Sequence, residues 1–515
     1  MIRSLSLILA LLLLAAAPCT GLKMNYLFSD GAILQTTDDD GHPPLIFGTA
    51  NASAKIVITI VGGNFPKLTA QASATGQWNA TLPQTPTSHP GPYNFTVEEY
   101  SSNNTTVVDK ATFDDVYFGD VYFCSGQSNM GFAMRGTTNA VEELAKSNGY
   151  TNVRLFTVPR SPGPVSWLPC NNKTVAPFSA VCYLSAERVM EMYSKGRHIG
   201  LILSAVGGTG VQQWSSNETE RICGHSSSRL SSHYVPASLF ATMVVPYMPY
   251  AVRAAIWYQG EANADECCPI GRADYTCYLE RMIAEWRALW GCGVPFVVVQ
   301  IHAFGYFPCD SATPIISSPQ AGVRLAQWDV GRHAPNDTFL VTACDQGGPL
   351  HPPWKTEVGR RVALAIVANV FKQTVAWRGP SIVNGTANHT ATTQQFDVDL
   401  VLENGKGIRL VDTPACNGTS PDKCTRYCCK GGAPGLFILE GYDWSTTYTV
   451  NLYNLMVTKV ADDSVQLSML GNQTFGGKAH LARLLYAVGS DPTCAVVNSD
   501  GIAMATQGPI YLAIH

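Results

Sequence analysis

Four short segments of this 515-residue chain set polar side chains or bare glycines just beyond apolar runs, where a fold can place chemistry. The first reads Asp120-Val121-Tyr122-Phe123-Cys124-Ser125-Gly126-Gln127-Ser128-Asn129-Met130. Gly126 permits a tight turn after the strand, because a residue without Cβ reaches backbone angles that others avoid. Ser128 then lies near the start of a following helix. Its hydroxyl can face a cleft there, and nearby backbone N–H groups can stabilise a negative oxygen. The second segment, Ile199 to Thr209, ends in Gly207-Gly208 and leads to Trp214 and Ser215. A glycine there can bring its N–H close to a substrate oxygen, as an oxyanion hole requires. A plain turn explains the pair equally well. The third, Ile256 to Asn263, delivers Gln259, Glu261 and Asn263. An amide from Gln259 or Asn263 can donate to an oxyanion without a proton that titrates. Glu261 is either a catalytic carboxylate or an acid that braces the loop. The fourth, Leu340 to Pro352, carries Asp345 and His351. Histidine is the usual base for a serine nucleophile because its pKa lies near the working pH, and Asp345 can orient the imidazole. His198, His225, His302 and His333 are read as structural.

These segments need a scaffold, and the residues around them describe one. From about 114 to 371, apolar strands alternate with helical stretches: Val116 to Cys124, Ile199 to Ala205, Ala254 to Tyr258, Pro295 to Ile301 and Phe339 to Ala343. That alternation predicts an α/β portion around a parallel sheet, whose active site lies beyond the carboxyl ends of the strands. On the helix from Tyr278, the residues Leu279, Met282, Ile283, Trp286 and Leu289 recur at helical spacing and read as core. Residues 22–113 carry short alternating strands such as Trp78 to Leu82 and Tyr93 to Val97, the pattern of a small β-sandwich. The β pattern returns over 372–515, for instance in Phe396 to Leu402 and Tyr448 to Leu452. The expected division is therefore a β-sandwich at 22–113, a catalytic portion at 114–371 and a β-rich portion at 372–515.

Taken together and in this order, the four segments resemble the SGNH (GDSL-like) hydrolase superfamily, and within it the sialate O-acetylesterase family. The S-G-Q-S-N-M signature stands unchanged from Ser125 to Met130, and W-Y-Q-G-E-x-N from Trp257 to Asn263. Weaker similarity surrounds them at Phe178 to Cys182, Gln213-Trp214-Ser215, Glu285-Trp286-Arg287 and Arg324. The resemblance covers about 23 to 371 well and the C-terminal part loosely. It implies a flavodoxin-like parallel sheet and a serine esterase that removes O-acetyl groups from sugars. Ser128 would be the nucleophile and His351 the base. The oxyanion donors would be Ser128, Gly207 or Gly208, and Gln259 or Asn263, with substrate contacts at Trp214 and Glu261. No metal or organic cofactor is implied, and the partner is a small molecule or glycan bearing O-acetyl esters. Three departures stand out. The superfamily commonly places its acid three residues before the histidine, where this chain has Gly348. Asp345 then supplies the third member from a longer loop, or a Ser-His dyad operates with a carbonyl orienting the imidazole. Val206 and Gly210 also stand where the family has Trp and Pro, which leaves open the sugar: sialic acid, acetylated xylan or another glycan. A glycan-binding protein on a decayed hydrolase core is the alternative of a different class.

Length, charge and cysteine usage bound these readings. A chain this long exceeds one ordinary core. Hydrophobic residues make up 46% and charged residues 14%, which argues against disorder. The net charge is -4 and no block of Lys or Arg stands out, which argues against nucleic-acid or anionic membrane partners. Arg3, the apolar run Leu5 to Leu14 and Ala15-Ala16-Ala17 have the form of a secretory signal peptide, with cleavage after Ala17 or as late as Gly21. An extracellular or lysosomal destination follows. The sixteen cysteines then read as disulfide formers. That includes Cys267, Cys268 and Cys277, and Cys416, Cys424, Cys428 and Cys429, which in another compartment would suggest zinc. Cys124, at the end of an apolar strand, is the candidate for a free thiol. Glycosylation sequons occur at Asn51, Asn79, Asn94, Asn172, Asn217, Asn336, Asn384, Asn417 and Asn472, which predicts surface positions for them.

Overall fold

The computed structural model describes residues 21–514 except 38–42, 84–89, 102, 162, 164, 225–234, 265–269, 292, 303, 305–318, 334–336, 347–348, 391–394, 413–436, 444–448, 462, 470–480, 487–493 and 501. The signal segment, Cys267, Cys268, and the Cys416 to Cys429 cluster lie outside the described residues.

Valine, isoleucine and aromatic runs build the central sheet. In spatial order its strands are Leu168–Pro169, Val153–Thr157, His198–Ala205, Val107–Gly126, Ala254–Tyr258, Phe296–Gln300 and Thr338–Thr342. All neighbours are parallel except the short edge strand Leu168–Pro169. Ala254–Tyr258 and Phe296–Gln300 are buried at every position, as strands covered on both faces must be. Numbered in chain order from the strand that ends at Gly126, and without the two-residue Leu168–Pro169, the spatial order is 2-3-1-4-5-6. The winding reverses between Val107–Gly126 and Ala254–Tyr258, so a crevice opens where Gly126 and Tyr258 sit side by side.

The flanking helices follow from their patterns. Arg272–Trp290 buries Tyr275, Tyr278, Leu279, Met282, Ile283 and Trp286 on one stripe and stops at Gly291, whose φ of 74° closes the last turn. Ala180–Met192 begins where the Ser179 hydroxyl accepts from the Cys182 N–H. It packs on Lys355–Asn369 so closely that a Cβ on Gly359 would lie 2.7 Å from Leu184 Cβ. Two disulfides pin helices: Cys124–Cys182 ties one to the central strand, and Cys223–Cys277 ties Arg272–Trp290 to Asn217–Cys223. Cys124 is therefore not a free thiol. Its strand is packed against Ala180–Met192, and Cys182 on that helix meets its sulfur. Among the described residues the free cysteines are Cys170 and Cys344, both buried.

The expected boundary at 113/114 falls inside one strand. Val107–Gly126 pairs antiparallel with Tyr93–Tyr100 in an N-terminal sheet, kinks at Asp115 (φ 58°), and continues as the middle of the central sheet. Its first half has exposed positions, and from Gly119 onward every residue is buried. A separate small sheet joins Lys23–Met24, Leu45–Thr49 and Gln77–Thr81. At the other end, the strands from Ser381–Thr390 to Gln507–Ile514 close a barrel of seven strands among the described residues. The barrel side is fastened to the central sheet at Gln300, whose amide donates to the Thr506 carbonyl (3.0 Å) and accepts from its N–H (2.8 Å). No helix of the described residues is long and apolar enough to cross a membrane. The sequon residues Asn51, Asn79, Asn94, Asn172, Asn217 and Asn384 are all exposed.

Candidate active site

The turn after Gly126 is shaped by the crevice. Gly126 has φ 140°, and a Cβ there would fall 2.0 Å from the Tyr258 carbonyl oxygen, so no other residue fits. The Gln127 N–H donates to that same carbonyl (3.1 Å). The Gln127 side-chain oxygen then accepts from Gln259 Nε2 (3.1 Å) and the Ala262 N–H (3.2 Å). These bonds fix the next residue, Ser128, half-buried at the strand-end rim. His351 arrives there from 223 positions away, its Nε2 2.7 Å from Ser128 Oγ. Partial desolvation, and then the charge of Lys355, hold the His351 pKa below its ordinary value. Its imidazole is therefore neutral at neutral pH, ready to accept a proton from the hydroxyl.

Gly207 lies against Ser128: a Cβ on it would come within 3.3 Å of Ser128 Cβ. Neither the Ser128 N–H nor the Gly207 N–H has a partner among the described residues. Gly208 follows with φ 71° and open space where a side chain would be. A cleft of about 560 Å³ opens beside them, lined by Ser128, Gly131, Val158, Arg160, Leu203 and Gly207 among others.

Residues 118–330 match the family described as carbohydrate esterase, sialic acid-specific acetylesterase. Over those residues the chain is similar to the esterase domain of that family. With it comes the class of the enzyme, a hydrolase acting on carboxylic esters. The sialate O-acetylesterase of Mus musculus is 26% identical over 404 residues, 65% of this chain and 72% of that protein. The one of Homo sapiens is 26% identical over 382 residues, 65% of this chain and 69% of that protein. A crystal structure of a carbohydrate acetylesterase from Xanthomonas citri shares the fold, with a TM-score of 0.70 at 23% identity over 94% of this chain and 98% of that one.

Several residues expected at the surface of the esterase site instead support it from beneath. Gln259 is fully buried, and its Nε2 faces the Thr209 carbonyl (3.0 Å), Gln127 Oε1 and Asn263 Oδ1 (2.8 Å). Asn263 is buried too; it donates to Gln212 Oε1 (2.8 Å) and accepts from the Val211 N–H (2.9 Å). Both amides bind the glycine turn to the third segment, and both side chains are buried away from the cleft. Trp214 is also fully buried, donates to Thr209 Oγ1 (2.9 Å) and sits edge-on to Trp257. It props the turn and does not reach a sugar. Asp345 is not the orienting acid. Arg361 Nη1 and Nη2 take its two oxygens at 2.5 and 2.7 Å, and Gln346 Nε2 donates to it as well. Both oxygens are engaged away from the imidazole, and among the described residues Asp345 makes no hydrogen bond to His351.

A buried chain of side chains, of which the sequence offered Glu261 as a loop brace but not Lys355, holds the segment before His351. Asn129 Nδ2 donates to Glu261 Oε1 (2.6 Å) and to the Leu350 carbonyl (3.0 Å), the residue just before His351. Lys355 Nζ donates to Asn129 Oδ1 (2.6 Å) and lies over the rings of Phe132 and Tyr258. Burial raises the Glu261 pKa and lowers that of Lys355 to about 7. Glu261 thus braces a loop and does not face substrate. Fully buried His302, whose pKa is pushed far down by desolvation, lies with Nε2 3.2 Å from the Pro349 carbonyl. A carbonyl only accepts, so the His302 proton is on Nε2. The two carbonyls ahead of His351 are therefore both held, one by Asn129, the residue next to Ser128. Lys355, four residues past His351 at the head of an apolar helix, was the available sequence signal.

Proposed function

We propose that the protein is a carbohydrate O-acetylesterase that removes acetyl groups from sialic acids through a serine-linked acetyl-enzyme. The single observation that supports this most is the 2.7 Å approach of His351 Nε2 to Ser128 Oγ at the sheet's switch point, beside a cleft of small-molecule size. His351 accepts the Ser128 proton as Oγ bonds to the acetyl carbon. The carbonyl electrons move to oxygen, which the Ser128 and Gly207 N–H groups receive; each such donor contributes roughly 3 kcal/mol. As the intermediate collapses, the bond to the sugar oxygen breaks and His351 returns the proton to that oxygen. Water, deprotonated by His351, then attacks the acetyl-serine and releases acetate and Ser128. The imidazole works in a dyad, aimed by a loop whose carbonyls Asn129 and His302 hold. The names of the relatives supply the sugar.

In this reading residues 114–371 form the catalytic portion, framed by β portions at 22–113 and 372–515. The protein passes through the secretory pathway to the cell exterior or the lysosome. The two disulfides and the exposed sequons support that route. Acetate release from O-acetylated sialic acid and from acetylated xylan, by wild type and Ser128→Ala, tests the reading. Loss of release in the variant is expected. Full activity without the Ser128 hydroxyl would remove the assignment, and a preference for xylan would change the sugar.

A further inference from the structure

One charged side chain on the cleft wall takes no part in the chemistry above. Arg160 lines the same cleft as Ser128 and Gly207, is exposed, and makes no ion pair or hydrogen bond among the described residues. The rest of that wall is apolar or neutral: Val158, Val165, Leu203, Ala205 and glycines, with no carboxylate among its described residues. Arg160 is held in place by the backbone. It follows Val153–Thr157, and the Val158 N–H donates to the Leu203 carbonyl (2.9 Å), on the strand that leads into Gly207. Val153–Thr157 lies two strands from the one that carries Ser128, a lateral offset of about 10 Å at ordinary strand spacing. A single sugar and an arginine side chain together bridge that distance.

We infer that Arg160 is an anion subsite that binds the carboxylate of an acidic sugar whose acetyl ester sits at Ser128. The inference rests on the esterase reading and deepens it by naming a specificity-determining residue, Arg160, which selects sugar acids over neutral acetylated sugars. The chemistry fits a guanidinium. It keeps its charge at every working pH, and its planar fork presents two parallel N–H donors to a carboxylate. With no acid on the wall to neutralise Arg160, the carboxylate of the ligand is the group that completes it.

The test compares kcat/KM for acetate release from O-acetylated N-acetylneuraminic acid, from its methyl ester, and from p-nitrophenyl acetate, in wild type and Arg160→Gln. Wild type is expected to favour the free acid over its methyl ester. In the variant, kcat/KM on the acid falls about 10- to 100-fold, mainly through KM, while the methyl ester and p-nitrophenyl acetate change less than threefold. Retained p-nitrophenyl acetate hydrolysis also reports that the variant has folded. Equal loss on all three substrates, no loss on the acid, or a wild type indifferent to the methyl ester overturns the subsite and leaves the esterase standing. A wild type that releases acetate from none of them removes the esterase reading, and the subsite falls with it.

Discussion

Replacing Lys355 with methionine probes the buried cluster under the dyad, and its effect depends on pH in a way the structure sets. Lys355 is fully buried, and desolvation takes its pKa from 10.5 to about 7, against the attraction of Glu261. In the unfolded chain the amine stays protonated to about 10.4. Between those values the unfolded state binds more protons, so the stability owed to this site rises with pH. Below about 7 the amine is charged in both states and the burial penalty is complete, on the order of 4–5 kcal/mol at 1.36 kcal/mol per pKa unit. Lys355→Met carries no such penalty. Its unfolding free energy relative to wild type should therefore fall by about 2–3 kcal/mol from about pH 6 to about pH 9. Urea unfolding followed by tryptophan fluorescence is the assay, since Trp214, Trp257 and Trp286 pack edge to face in the core of the catalytic portion. A wild-type-to-variant difference that stays flat across that range would refute the reasoning, because it would mean the amine keeps its proton, or its water, in the folded state.

Three more outcomes follow from the site. In wild type the acid limb of kcat/KM should titrate below 6.5, the direction in which desolvation and Lys355 move His351, and Lys355→Met should shift that midpoint upward; a pH–rate profile of both proteins measures it. Asp345→Asn should cost about 1.5–3 kcal/mol of stability by weakening the bidentate pair of buried Arg361, which keeps Glu357 and the Thr342 carbonyl, yet lower kcat of the folded protein less than tenfold. A triad acid would instead cost about 10⁴, so parallel melting and kinetic measurements separate the two roles. Gly207→Ala should lower kcat at nearly unchanged stability, because the added methyl meets Ser128 at 3.3 Å.

Ser128 and His351 were legible in the sequence because each ends an apolar run with an unusual polar string, and such strings report local strand-to-turn geometry. The parallel sheet was legible for the same reason, from alternating strand and helix patterns. Partnership was not. Asp345 stands six residues from His351, but Arg361, one helix turn beyond Glu357, claims both of its oxygens, and sequence distance carries no information about that competition. Gln259, Asn263 and Trp214 have side chains suited to binding substrate, and only burial distinguishes a prop from a contact. Cys124 and Cys182 lie 58 positions apart, joined through a helix packing that no local pattern records. The sharing of Val107–Gly126 between two sheets was not legible, because which strands pair on either side of Asp114 and Asp115 is a long-range outcome.

The strand Val107–Gly126 serves two sheets at once, so the flanking and catalytic portions cannot be inherited or engineered as detachable cassettes. A gene fragment opening at residue 114 would keep only Val116 of the positions that pair with Tyr93–Tyr100 and would lose that strand itself. It would also leave Tyr117, Phe118 and Gly119 without Ile33–Gln35 alongside. The bare edge left behind is of the kind that recruits stray strands. Any recombination that moves Ser128 and its strand into a new host has to carry the amino-terminal companion with it.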